Sequence, residues 1–219
     1  MKLLKITNVN FQSAVQKAVV VLKKGGVVAH PTDTVWGLAA DFSNAKAIKK
    51  VHAIKQTDPN KPFLIQLPSK SWLIRLGQKL CVAHALAKEF WPGPLALIVR
   101  SKKSPPNPLF TKEGGLSGSF TLGVRYPDHK LSNALARGCG FPLVTTSANI
   151  AEHSPARSAA EVEKIFAKQK SQPDLVLDDP SPSAGSPSTI VDVSGKEIRL
   201  IREGTLTFKK ILRTLARRS

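Results

Sequence analysis

The stretch GVVAHPTDTVWGL, Gly26 to Leu38, sets the problem. Val27, Val28 and Ala29 suit a buried strand, but Pro31 fixes its own φ and pushes His30 toward an extended conformation, so the strand is expected to end at His30. Beyond it stand Thr32, Asp33, Thr34 and Trp36, then Gly37. A polar cluster at a strand end is a binding-site candidate. Taken locally, the same residues also fit an ordinary turn in which Asp33 and Thr34 bond their own backbone. The rest of the chain has to decide between the two.

Outward from this stretch the chain alternates between two periods. FQSAVQKAVVVLKKGG carries Val15, Ala18, Val19 and Leu22 at helical spacing, and its lysines and glycines suit a helix end. SNAKAIKKVHAIK (43–55) predicts a second helix, with Ser43 or Asn44 as N-cap and Lys55 at its C-terminal edge. PFLIQL, LALIVRS, TLGVR, PLVTTSAN and DLVLDD read as strands; CVAHALAKEFW, LSNALARG and ARSAAEVEKIF read as helices. TIVDVS and EIRLIREG predict a hairpin turning at Ser194-Gly195, residues 102–119 a loop, and 206–219 a basic C-terminal helix with Phe208, Ile211, Leu212 and Leu215 on one side. This alternation predicts an α/β fold: one domain over residues 1–219 with a mixed, twisted sheet flanked by helices. The polar ends of HPTDT, VTTSAN and SPSTIVD are expected to converge around a basic concave site, since ligands of open α/β sheets gather at strand ends.

The 219 residues suffice for one well-cored domain, and 42% of them are hydrophobic. No run of eighteen apolar residues occurs, and MKLLKITNVNFQSA lacks an apolar signal core, so no membrane is involved and a cytoplasmic location is expected. Cys81 and Cys139 form neither a zinc-ligand pattern nor a disulfide framework. The 33 Lys and Arg against 15 Asp and Glu leave a net charge of +18, which attracts polyanions such as nucleic acid or nucleotides. Because the lysines are dispersed, the charge also fits a generic solubilising surface.

No GxxxxGK[ST] loop, GxGxxG turn, HExxH helix or GxSxG elbow is present, so standard phosphate cradles, dinucleotide folds, zincins and α/β hydrolases lose support. The five histidines show no metal-ligand spacing. What remains are hydroxyls, an amide and cations: Thr32, Thr34, Ser147, Asn149, Ser188 and Thr189, with Lys55, Arg125 and Arg202. That mixture suits the binding of oxyanions and polar small molecules rather than covalent nucleophilic catalysis. Each residue also has a plain structural role open to it: helix-end cation, helix cap, turn hydroxyl or partner of a surface acid.

Six motifs in order, HPTDTVWGL, EFWPGPLALIV, GVRYPDH, TTSAN, GSPSTIVD and RLIREG, resemble the YrdC-like family of L-threonylcarbamoyladenylate synthases over about residues 10–205. The chain is similar to the short, single-domain type. The resemblance implies condensation of L-threonine, bicarbonate and ATP to threonylcarbamoyl-AMP and pyrophosphate. It also implies hand-off to a tRNA threonylcarbamoyl transferase complex, with Mg2+ accompanying ATP and no tightly bound organic cofactor. Double-stranded RNA or tRNA is a further implied partner. On the same basis Lys55, Ser147 and Asn149 are the catalytic and nucleotide-binding residues, joined on the nucleotide by Ser188 and Arg202, while Thr32, Thr34 and Arg125 form the threonine pocket. The ligands of the metal are left open by the sequence.

Two departures stand out. The Lys-x-Arg element of the family reads Lys55-Gln56-Thr57, removing a guanidinium whose loss in comparable sites costs on the order of 10²- to 10³-fold in rate. Lys61 supplies a charge nearby but no bidentate fork. After Asn149 the usual Ser-Gly is replaced by Ala151-Glu152. These changes, with the basic charge, keep a second expectation open: a paralogue resembling the YciO branch that binds RNA without synthase activity.

Overall fold

The computed structural model describes residues 1–59, 61–78, 81–101, 120–181 and 183–217. The expected loop at 102–119 lies outside them. The chain begins with β1 (Lys2–Lys5), α1 (Phe11–Lys23), β2 (Val28–His30), β3 (Gly37–Asp41), α2 (Ala45–Lys55) and β4 (Leu64–Gln66). Next come α3 (Trp72–Leu76), β5 (Gly77–Gln78), α4 (Cys81–Phe90), β6 (Leu95–Ser101), β7 (Thr121–Arg125) and α5 (Lys130–Cys139). It closes with β8 (Leu143–Ser147), α6 (Ala159–Phe166), β9 (Leu175–Asp178), β10 (Thr189–Asp192), β11 (Arg199–Arg202) and α7 (Phe208–Ala216).

All the described strands join one mixed sheet in the order β1-β9-β2-β3-β8-β4-β7-β6-β10-β11, with β5 paired to β6 off this path. Alternation along the strands assigns side chains to two cores. Val27, Ala29, Leu38, Ala40, Val144 and Val176 face one layer, packed with Ile48, Val51 and Ile54 of α2, Leu86 of α4, Phe166 of α6 and Ile211 of α7. Val28, Ala39, Leu143, Leu175 and Leu177 face the other, against Val15, Ala18 and Leu22 of α1 and Leu131 and Leu135 of α5. The sheet is therefore covered by helices on both faces, as its nearly unbroken apolar strands require. Asn44 caps α2 by accepting from the amides of Lys46 and Ala47 at 3.0 and 3.2 Å, and Gln56 ends it in the left-handed conformation with φ 50°.

Several details depart from the sequence reading. β1 and β3 carry no strong sequence signal of their own: β1 is held by the distant β9, and β3 lies between its chain neighbour β2 and the distant β8. The strands ending at His30 and Ser147 are separated by β3, and β10 lies at the far side of β6, so the three polar ends are not on adjacent strands. Their approach is made by loops. On α7 Ile211 is fully buried, whereas Leu212 is 44% exposed and falls outside the buried stripe.

His30 is fully enclosed at the end of β2, and burial holds its imidazole well below the usual range, at about 4. Buried His52 and His129 are lowered for the same reason. In the unfolded chain such groups titrate near 6.5, so between about 4 and 6.5 the unfolded state binds more protons and stability rises with pH. His30 alone then contributes up to about 3 kcal/mol, complete above pH 6.5 and lost toward pH 4. Urea titrations across this window are expected to show that loss, and His30→Leu, although less stable at pH 7, is expected to show a flatter profile. An equally steep variant would remove His30 as the cause.

Candidate active site

Two hydrogen-bonded clusters occupy the ends of the central strands. The first is built on Lys55, the last residue of α2, whose side chain leaves the helix C-terminus and crosses to the end of β8. Its ammonium donates to the carbonyl of Ser147 at 2.7 Å, the carbonyl of Asn149 at 3.1 Å and Asn149 Oδ1 at 2.8 Å. Ser147 Oγ donates to the same Oδ1 at 2.6 Å, and Asn149 Nδ2 donates to the carbonyls of Ile150 and His153. The amide of Ala151 returns a bond to the Lys55 carbonyl at 2.8 Å. Lys55 is only 7% exposed, and burial, followed by the charge of nearby Lys61, brings its ammonium down to about 8. It therefore remains mainly protonated at pH 7, a cation with little water around it.

The second cluster is built on Arg125, at the end of β7. Its guanidinium pairs with Asp33 Oδ1 and donates to Thr34 Oγ1 at 2.9 Å and the Gly93 carbonyl at 3.2 Å. Thr34 Oγ1 lies 3.1 Å from Thr32 Oγ1, which donates to the Val35 carbonyl at 2.7 Å. Because the one Thr32 hydroxyl proton goes to the Val35 carbonyl, Thr34 is the donor between the two hydroxyls, and the protons run from Thr34 to Thr32 to Val35. Asp33 also accepts from the amide of Asp128 at 3.1 Å. The polar stretch 32–34 bends, but not with Asp33 and Thr34 bonding their own backbone: Thr32 makes the local bonds, and Asp33 and Thr34 are fixed by a distant arginine.

The loop after β9 fastens the two ends of the site together. Ser183 Oγ donates to the Thr32 carbonyl at 2.6 Å, and the amides of Ala184 and Gly185 donate to the carbonyls of Asp33 and Thr34. Gly185 has φ +76°, a conformation glycine adopts without strain. Ser188, buried at the start of β10, accepts through its carbonyl from Arg202 Nε at 3.2 Å and from the second guanidinium nitrogen at 3.0 Å. Arg202 is close enough to Arg125 for its charge to oppose that of Arg125. The segment carrying Arg202 reaches this position because Gly204 has no side chain: a Cβ there would lie 2.1 Å from the Pro187 carbonyl. On the other side, the Ala148 amide donates to the Trp36 carbonyl at 2.8 Å and joins the two clusters' backbones.

Lys55, Ser147 and Asn149 are in mutual contact, and so are Thr32, Thr34 and Arg125. Ser188 and Arg202 form a third pair, set against Arg125 by charge. The sequence did not single out Asp33, the counter-ion of Arg125, or Gly93, Ser183 and Gly185; HPTDT contains Asp33, but only the folded chain shows which cation it meets. Exposed Glu152 takes the left-handed conformation, φ 66°. Together with Gln56 it puts two non-glycine residues at φ > 0 on the rim of the Lys55 cluster. Among the described residues no group of three or more His, Cys, Asp or Glu is arranged to hold a metal ion.

Comparison with known proteins bears on the fold and the family. A family model for Sua5, YciO and YrdC proteins, described as telomere recombination, matches residues 20–204. A threonylcarbamoyl-AMP synthase of Chromohalobacter salexigens is 36% identical over 190 residues, 83% of this chain and 94% of that protein. One of Thiobacillus denitrificans is 32% identical over 180 residues, 81% and 90% of the respective chains. Among solved structures, P. abyssi Sua5 complexed with L-threonine superposes with a TM-score of 0.84 at 27% identity over 98% of this chain, which spans 60% of that Sua5 chain. E. coli YciO, at 23% identity and a TM-score of 0.81, shares the fold. With the family model covering residues 20–204 and relatives more than 30% identical aligned over most of their length, the chain belongs to the Sua5/YciO/YrdC family.

Proposed function

We propose that the chain is an L-threonylcarbamoyladenylate synthase that condenses L-threonine, bicarbonate and ATP to threonylcarbamoyl-AMP and pyrophosphate. The observation that carries this reading is the buried Lys55 ammonium held against Ser147 and Asn149 at a strand end. In the reaction, the threonine amine adds to the bicarbonate carbon with loss of water. A carbamate oxygen then attacks the α-phosphorus of ATP, and the bond to pyrophosphate breaks. Neither step needs a protein nucleophile; each needs reactants held in line and charge opposite developing oxyanions.

Each cluster serves one reactant. Lys55 supplies a poorly hydrated cation toward the phosphates, exchanging one carbonyl partner for a phosphate oxygen; Ser147 Oγ and Asn149 Nδ2 become further donors by the same exchange, giving up Asn149 Oδ1 and one of the Ile150 and His153 carbonyls. Ser188 and Arg202 flank the nucleotide from the opposite loop. Arg125 takes the threonine carboxylate while Asp33 keeps its guanidinium plane fixed, and Thr32 and Thr34 line the pocket. Mg2+ would enter as part of the ATP substrate and offset phosphate charge; among the described residues no carboxylate cluster is arranged to hold it separately. The product passes to a tRNA threonylcarbamoyl transferase complex, and the basic surface gives tRNA or double-stranded RNA a means of approach.

Three outcomes test the reading. Purified protein with ATP, Mg2+ and bicarbonate is expected to release pyrophosphate only when L-threonine is added, and Lys55→Ala is expected to lower that release by on the order of 100-fold or more. Unchanged release would put the active site elsewhere. Because the Lys55 ammonium titrates at about 8, below its ordinary value, the rate is expected to fall as pH rises through that value; a rate constant up to pH 9 would exclude a role for its charge. Thr57→Arg, which restores the guanidinium of the family's Lys-x-Arg element, is expected to hold or raise turnover, and a clear loss would show that this chain uses a different phosphate contact.

A further inference from the structure

Two buried histidines behind the Arg125 cluster have the same fault and opposite chemistry. His30 Nδ1 lies 2.8 Å from the Pro31 carbonyl. A carbonyl only accepts, so Nδ1 carries the proton and Nε2 of the neutral ring is a bare acceptor. His129, the residue that caps α5, accepts from the amide of Ser132 through Nδ1 at 3.4 Å. Its proton is therefore on Nε2, a donor. Both Nε2 atoms are buried and have no partner among the described residues. His129 is close enough to His30 for its charge to oppose that of the His30 ring, and Asp179 acts on both, with Asp33 and Asp128 also facing His129.

One unpaired donor and one unpaired acceptor are what a single hydroxyl serves, accepting from one ring and donating to the other. We propose that His129 and His30 are bridged by one water molecule, and that the bridge makes them positioning residues for Arg125 in the threonine pocket. His30 immediately precedes the Pro31–Thr34 turn. His129 follows Asp128, whose amide holds Asp33 Oδ2, and Asp33 in turn holds Arg125. The bridge therefore closes a ring around the carboxylate that orients the guanidinium. His129 is itself fixed from behind: Ser132 Oγ donates to Gln66 Oε1 at 2.7 Å, Gln66 Nε2 donates back to the Ser132 carbonyl, and Asn133 Nδ2 holds the Pro127 carbonyl.

The role in threonine binding rests on the synthase reading; the bridge does not. Asparagine at either position keeps the bond made by Nδ1 and removes Nε2, and at 129 it is a strong helix cap. His30→Asn and His129→Asn are each expected to raise the KM for threonine roughly tenfold, leaving the KM for ATP in place, and the double variant is expected to be no worse than either single one. Effects that multiply in the double variant, an unchanged threonine KM, or an equal rise for ATP would overturn the positioning role. Nitrogen-15 imidazole spectra of the intact protein at neutral pH provide a readout that needs no turnover. The expected pattern is Nδ1–H on His30 and Nε2–H on His129, with the His129 signal displaced in His30→Asn. The opposite tautomers, or a His129 signal indifferent to residue 30, would overturn the bridge even in an active enzyme. The expected pattern in a protein that releases no pyrophosphate would instead retire the synthase reading alone.

Discussion

A buried ammonium must be surrounded by acceptors, and meeting that requirement shapes half of the site. Lys55 leaves the C-terminal end of α2, where the helix dipole favours a cation, and finds its acceptors on the exit of β8. To provide them, the chain after Ser147 must turn two carbonyls and an amide oxygen inward. That turn places Ser147 Oγ and Asn149 Nδ2 beside the same point. Desolvation would otherwise drive the proton off, so the acceptors and the lowered but still sufficient basicity are two sides of one arrangement.

The Arg125 cluster solves a related problem by a different means. A guanidinium does not surrender its proton, so burial has to be met by a full counter-charge, and Asp33 provides it. Two further donors go to Thr34 and Gly93, which fixes the plane of the group and leaves one N–H on each terminal nitrogen for a ligand. One cation is thus tuned and the other is locked. The loop from Ser183 to Ser188 bonds the segment that carries Asp33 and continues into β10, so this cluster is held by backbone that also belongs to the sheet.

Much of this was legible in the sequence because it depends on local chemistry. Pro31 ends β2, Asn44 caps α2, and the polar ends of HPTDT and TTSAN mark the two clusters. The helical stripes of α1 and α2 gave their buried faces directly. What was not legible depends on distant partners. GLAAD pairs with LVTTS and KLLK with LVLD, relations that neither member of a pair announces. Asp33 is an unremarkable turn residue until the fold sets Arg125 against it. The convergence of the three polar ends was expected from adjacent strands; in the folded chain loops span the intervening strands instead, because the sheet order separates them.

The same sheet order bears on how the protein emerges from the ribosome. β1 is hydrogen-bonded only to β9 among the described strands, and β2 lies between β9 and β3, so residues 2–5 have no ladder partner until residues 175–178 have been synthesised. Through most of translation the first strand and one edge of the second are open, with Leu3, Leu4 and Val28 uncovered. Non-local pairing of this kind is slow and prone to wrong associations. The lysines at both ends of KLLK therefore have a use before the fold is complete: they place charge on a strand that must wait for its partner.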